Sequence, residues 1–184
     1  MTVTAEQIRK VLAEAELLYS AAEVETAFDR LAEQVTAAVN SRDPIILCVM
    51  TGGLVPAGHL VTRLDFPLQL DYLHATRYRG ETSGGHLHWI TRPSCALKDR
   101  TVVVVDDILD EGLTLAAILD YCRAEGAREV LSVVLVDKRH ERRASHINAD
   151  FAGLEVGDRY VFGFGMDYKG YLRNAAGIYA VRGL

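Results

Sequence analysis

The chain has 184 residues, 49% of them apolar and 24% charged, with a formal net charge of −5. That size and apolar content describe one globular domain with a sizeable core and exclude a disordered chain. The acidic balance argues against nucleic acid as a bulk electrostatic partner, although a local Arg/Lys cluster can still hold a small anion, and neither a membrane-length apolar run nor a signal peptide is visible, so no membrane role is expected.

Taken in chain order, Thr4 with Gln7 and Ser20 with Glu23 have the spacing of capping boxes. Ile8, Val11, Leu12 and Ala15 follow the first, and Val24, Ala27, Phe28, Leu31, Val35 and Val39 follow the second, all at helix periodicity. Two amphipathic helices are therefore expected, with no cluster of chemically useful side chains. Asp43-Pro44 closes that region. Ile45–Met50 is apolar without alternation, as a strand buried on both faces would be. Thr51-Gly52-Gly53 follows it, and a short helix is expected over about 55–64. Residues 68–73 alternate and read as a strand. Residues 74–85 break every periodicity with glycine and charge, and 86–90 resume as a strand. His86 and His88 alternate on that strand with no third ligand nearby, which does not make a zinc site. Cys48, Cys95 and Cys122 form no CxxC pair and lie in or near apolar runs, the pattern of reduced, buried thiols in a cytoplasmic protein.

The most informative stretch runs from Thr101 to Thr114. It opens with β-branched residues only, continues Asp106-Asp107-Ile108-Leu109-Asp110-Glu111-Gly112-Leu113-Thr114, and then switches to helix spacing at Leu115, Ile118, Leu119 and Cys122. Strand, acidic loop and helix in that order form the junction where open α/β sheets bind ligands. The helix start offers free N–H groups and a positive dipole end, which suit a phosphate. Gly112 allows close backbone approach, and the Thr114 hydroxyl can add a hydrogen bond. The carboxylates would repel a phosphate unless they face hydroxyls or a divalent cation. A further buried strand is expected over 129–137, ending at the basic run 138–143; Lys138 is singled out there and the other basic residues are read as surface. From Phe151 onward the chain is short and aromatic. Gly163 and Gly165 form only a lone G-x-G with no helix signal behind it, which does not make a dinucleotide site.

The 101–114 stretch closely resembles the phosphoribosyl-pyrophosphate (PRPP) signature of type I phosphoribosyltransferases, departing at Glu111, where that family usually has Thr or Ser. The resemblance extends in order to Thr51-Gly52-Gly53 as a pyrophosphate loop, with Thr51 where a Lys is usual; to Tyr78 in a lid between two strands; to Lys138 as the donor to a purine 6-oxo group; and to a C-terminal hood. In the hood Tyr160 matches a base-stacking aromatic, Val161 a backbone base contact, Asp167 a metal ligand and Arg173 a pyrophosphate contact.

What the resemblance implies is a Rossmann-like α/β fold, a mostly parallel sheet with flanking helices. One domain covers 1–184, with a core over about 43–149 and a small hood over about 150–184 together with the N-terminal helix. It also implies a hypoxanthine-guanine phosphoribosyltransferase activity of purine salvage. Asp106 and Asp107 would hold ribose hydroxyls directly or through Mg²⁺, Asp167 a second metal, and Asp110 the proton of purine N7 as general base. The backbone from Asp110 through Glu111, Gly112 and Leu113 to Thr114 would cradle the 5′-phosphate. The expected partners are PRPP and a 6-oxopurine base, with a homodimer or homotetramer as the assembly. Two alternatives stand beside this: a PRPP-sensing, non-catalytic regulator, and a xanthine- or adenine-preferring enzyme. The 44 residues ahead of Ile45 are too few for a winged-helix domain, and the chain is acidic, which disfavours the regulator.

Overall fold

The computed structural model describes residues 3–77, 87–143 and 147–183. The elements run α1 (Ala5–Glu14), β1 (Glu16–Ser20), α2 (Ala21–Val39), β2 (Ile45–Met50), α3 (Leu54–Val61), β3 (Gln69–Arg77) and β4 (Leu87–Thr91). They continue with β5 (Thr101–Leu109), α4 (Leu113–Ala124), β6 (Glu129–Lys138), β7 (Phe151–Val156), β8 (Val161–Phe162) and β9 (Gly177–Ala180). Both expected capping boxes are formed, Thr4 with Gln7 and Ser20 with Glu23.

Six strands make the main sheet in the order β4-β3-β2-β5-β6-β7, parallel throughout except for the β3–β4 pair. The unbroken apolar runs have a simple cause. Along β5, Val103 and Val105 pack into one core cluster with Phe28, Leu31 and Val35 of α2 and Ala57 and Leu60 of α3. Val102 and Val104 pack into another with Leu115, Ile118 and Cys122 of α4. Each face of the sheet is covered by helices, so both side-chain sets must be apolar.

A second, antiparallel sheet of order β1-β9-β8 lies apart from the first. A small cluster of Ile8, Phe162, Tyr168 and Val181 attaches α1 to it. Its strands are not expected from the sequence. β1 and β8 are too short to show a period, and β1 exists because Glu16–Ser20 pairs with the C-terminal strand β9. β7 is likewise unexpected, and it belongs to the main sheet, paired with β6. The smaller layer therefore begins after Val156 rather than near residue 150. Gly153 weakens the β7 signal for a packing reason: a Cβ there would lie 2.9 Å from the Leu135 carbonyl oxygen and 3.1 Å from Leu31 Cδ1.

β5 also runs further than expected. Asp106, Ile108 and Leu109 keep register with Val134, Val136 and Asp137 of β6, so Asp106 and Asp107 stand on the strand itself. Tyr78 and most of the expected lid lie outside the described residues. No helix among the described residues is long and apolar enough to cross a membrane.

Candidate active site

β2, β5 and β6 are parallel neighbours, so their carboxyl ends open on one edge of the sheet. The three segments that follow them, 51–53, 110–114 and 138–143, are therefore brought side by side. This is the place where an open parallel sheet offers a crevice.

The glycines of the first segment are demanded by contact. A Cβ on Gly52 would sit 2.1 Å from Asp107 Oδ2, and one on Gly53 2.5 Å from the Val105 carbonyl oxygen. The hood closes on the same point, since a Cβ on Gly165 would fall 2.3 Å from the Gly52 carbonyl oxygen. Thr51, which stands where a lysine is usual, is exposed at the strand end, joined to Met50 by a cis peptide.

Asp106 and Asp107 are held at the end of β5. Asp106 accepts from the Asp107 N–H at 2.9 Å, and Asp107 accepts from the Ile108 N–H at 2.8 Å. Burial pushes the Asp106 carboxyl well above its ordinary range, and the neighbouring Asp107 charge adds to this. Burial raises Asp107 as well, against the opposing pull of Asp106 and Arg173. Among the described residues Arg173 is the cation that faces them. Its guanidinium lies 3.7 Å from Asp107, 2.6 Å from Asp167 and 2.5 Å from the Gly165 carbonyl oxygen. Asp167 also accepts from the Gly170 N–H at 2.6 Å. Gly52, Asp107, Gly165, Asp167 and Arg173 thus form one contact network between sheet and hood.

Beyond Asp107 the chain turns at Gly112, whose φ of 83° lies in the left-handed region and which caps α4 without a side-chain hydrogen bond. A Cβ there would also meet Ile147 Cγ2 at 2.6 Å. The first N–H groups of α4 have no intrahelical carbonyl to meet, so the Gly112–Thr114 backbone is available to an anion. Glu111 and Leu113 point outward and are exposed.

Lys138, nearly buried at the end of β6, donates to Asp110 at 3.2 Å and lies 3.7 Å from Asp158. Two ion-pair hydrogen bonds from Arg142 hold Asp158 down at about 2. Tyr160 is partly exposed and packs edge-on against Tyr168, with ring centroids 5.5 Å apart. Val161 is buried in β8 opposite Ala180.

Two residues of the basic run that its charge pattern assigns to the surface are not surface. The His140 ring is 2% exposed and touches Asp110 at 2.5 Å. Arg143, 10% exposed, pairs with Asp137 and donates to the carbonyls of Leu109, Asp110 and Lys138. A run of charges usually marks a solvated face. The signal that points the other way is position: the whole run, and not Lys138 alone, follows a central strand on the side where ligands gather.

This arrangement defines an α/β domain whose strand ends bring the uncapped N-terminus of α4 beside a recessed acidic pair. The family model described as "Phosphoribosyl transferase domain" matches residues 15–169, and the chain belongs to that family. It is 30% identical over 158 residues to the hypoxanthine-guanine-xanthine phosphoribosyltransferase of Tritrichomonas foetus, covering 86% of each chain. It is 31% identical over 159 residues to the hypoxanthine-guanine phosphoribosyltransferase of Bacillus subtilis (strain 168), covering 86% of this chain and 88% of that one. A solved hypoxanthine-guanine-xanthine phosphoribosyltransferase superposes with a TM-score of 0.83 at 26% identity, over 92% of this chain and 98% of the other. A hypoxanthine phosphoribosyltransferase from Staphylococcus aureus gives a TM-score of 0.88 over 97% of both chains; at 23% identity it speaks for the fold alone.

Proposed function

We propose that this chain is a purine-salvage transferase that moves the 5-phosphoribosyl group of PRPP to hypoxanthine or guanine, giving IMP or GMP and pyrophosphate. The observation that carries the base assignment is the Lys138–Asp110 contact of 3.2 Å at the mouth of the crevice. In a 6-oxopurine O6 and N7 lie on the same edge. An ammonium and a carboxylate side by side can donate to the first and accept the proton of the second.

The remaining roles follow from position. The Tyr160 ring stacks on the base, and the Val161 backbone bonds its far edge. The backbone from Asp110 to Thr114 binds the 5′-phosphate, and the 51–53 backbone binds the departing pyrophosphate through N–H groups without a Thr51 charge. Arg173 leaves its carboxylate partners to reach that pyrophosphate. Asp106 and Asp107 receive the ribose hydroxyls. Holding base and sugar in line, and balancing charge where it develops, supplies most of the acceleration.

The acidic residues fit Mg²⁺ as an ion shared with substrate. Two largely buried carboxylates stand together, and among the described residues one arginine, Arg173, lies near them. Among the described residues no three acidic, histidine or cysteine side chains converge into a closed cage. Mg²⁺ prefers one or two carboxylates completed by phosphate and water oxygens. Asp106 and Asp107 would hold one such ion and Asp167, released from Arg173, a second. When bound, Mg²⁺ neutralises the pyrophosphate.

The unpaired cysteines accord with a reducing cytoplasm. The main sheet and hood are read as one working domain, and a homodimer or homotetramer as its assembly, checked by light scattering.

The test is PRPP consumption with hypoxanthine, guanine, xanthine, adenine and uracil, in Mg²⁺ and again in EDTA, with wild type and Lys138→Ala. The 6-oxopurines should be consumed, EDTA should abolish turnover, and the variant should lose about 10- to 100-fold for hypoxanthine and guanine, the worth of a charged hydrogen bond. Preference for adenine would refute the base assignment. PRPP binding without turnover on any base would favour a regulator.

A further inference from the structure

The proposed base, Asp110, is gripped from the 138–143 segment, in which Lys138 alone has a part in the reaction as described so far. Lys138 Nζ approaches one carboxylate oxygen, Oδ2, at 3.2 Å, and His140 Nε2 approaches the other, Oδ1, at 2.5 Å. The other ring nitrogen of His140, Nδ1, accepts the backbone N–H of Arg142 at 3.1 Å. An acceptor nitrogen carries no proton, so the proton of the neutral ring sits on Nε2 and points at Asp110. Arg143 fixes the backbone beneath, donating to the Leu109 carbonyl at 2.9 Å and to the Asp110 carbonyl at 3.2 Å.

We propose that His140 is a positioning residue for Asp110, the donor that keeps this carboxylate oriented when the base draws Lys138 away. Without a purine, two donors share the carboxylate. Once Lys138 turns to the purine O6, Oδ2 is left free to take the N7 proton, and Asp110 is about half exposed, free to rotate unless Oδ1 is held. His140 holds it from a site that water does not reach, since its ring is 2% exposed. The reach of a catalytic group to its proton is set within a few tenths of an ångström, so an anchor on the idle oxygen matters for rate more than for binding. This inference rests on the proposed role of Asp110.

The experiment is a double-mutant cycle of His140→Leu and Asp110→Asn, with His140→Gln as the conservative variant, read as kcat and PRPP KM in Mg²⁺ with hypoxanthine. PRPP binding by calorimetry and circular dichroism report the fold. His140→Leu should lower kcat by about 10- to 100-fold, the worth of a hydrogen bond to a charged group. Its PRPP KM should stay within about twofold, the usual scatter of uncoupled sites. His140→Gln, whose amide N–H can replace Nε2–H, should recover most of the loss. On the Asp110→Asn background His140→Leu should change kcat by less than about twofold, because the group it acts through is already gone. Unchanged kcat in His140→Leu, or a loss that adds in full on that background, would overturn the proposal. So would a variant that no longer binds PRPP, which would assign His140 to folding. Wild-type turnover in Asp110→Asn would instead sink the general-base reading itself.

Discussion

Asp110→Asn keeps the size of the side chain and removes its capacity to take a proton. Both oxygens of Asp110 meet donors, Lys138 on one side and His140 on the other. An amide has one acceptor oxygen, so one of these donors must face an NH₂ group. A hydrogen bond to a charged partner contributes about 1.5–3 kcal/mol. Asp110 is 46% exposed, and solvent screening brings the net value down toward about 1 kcal/mol. For a chain of this length that is a fall in Tm of about 2–4 °C. Turnover should fall much further, by about 10²–10⁴-fold, the range for removing a general base, or about 3–5 kcal/mol of barrier. The two effects are therefore separable in one protein. A helix-cap explanation is closed, because Gly112 caps α4 and no side chain bonds its N-terminus. Steady-state kcat with hypoxanthine, calorimetric PRPP affinity and thermal melting would be measured together. A variant that turns over within about twofold of wild type, while its Tm falls as expected, would refute the reasoning, since that amount lies within ordinary mutational scatter.

Two further predictions concern the acidic pair. Gly52→Ala places a methyl 2.1 Å from Asp107 Oδ2; it should cost about 1–3 kcal/mol by overpacking and weaken Mg²⁺-dependent PRPP binding. Gly58→Ala, with open space around it, should instead stabilise α3 by about 0.5–1 kcal/mol, and equal melting behaviour of the two variants would contradict the contact argument. Asp106 and Asp107 are raised by burial in the folded state, so the folded protein holds protons that the unfolded chain releases near pH ~3.9. Their contribution to stability falls as pH rises from there through the raised folded values. Asp71 and Asp158, held at about 2, act oppositely and lose their contribution as pH falls. The test is therefore the difference in Tm against pH between wild type and Asp106→Asn in Mg²⁺-free buffer, which should show wild type losing ground as pH rises; the reverse slope would reject the burial argument.

Features set by residues close in the chain are legible in the order of amino acids alone. The capping boxes at Thr4 and Ser20 need only residues three apart. The β5–α4 junction can be read because strand, turn and helix each leave their own period in 101–122. Pairing of Glu16–Ser20 with Gly177–Ala180 cannot, since it joins segments about as far apart as the chain allows and neither carries a period of its own. The same limit applies at the site. Lys138, His140, Arg142 and Arg143 are alike in sequence, as charged or ionisable side chains in one run. Tertiary packing alone places His140 against Asp110 and Arg143 over the Leu109 and Asp110 carbonyls, while leaving Arg142 outside with Asp158. A side chain's type records which charge it can carry. Whether that charge is solvated or buried against a partner depends on which distant segment folds over it, and that information is not local to the residue.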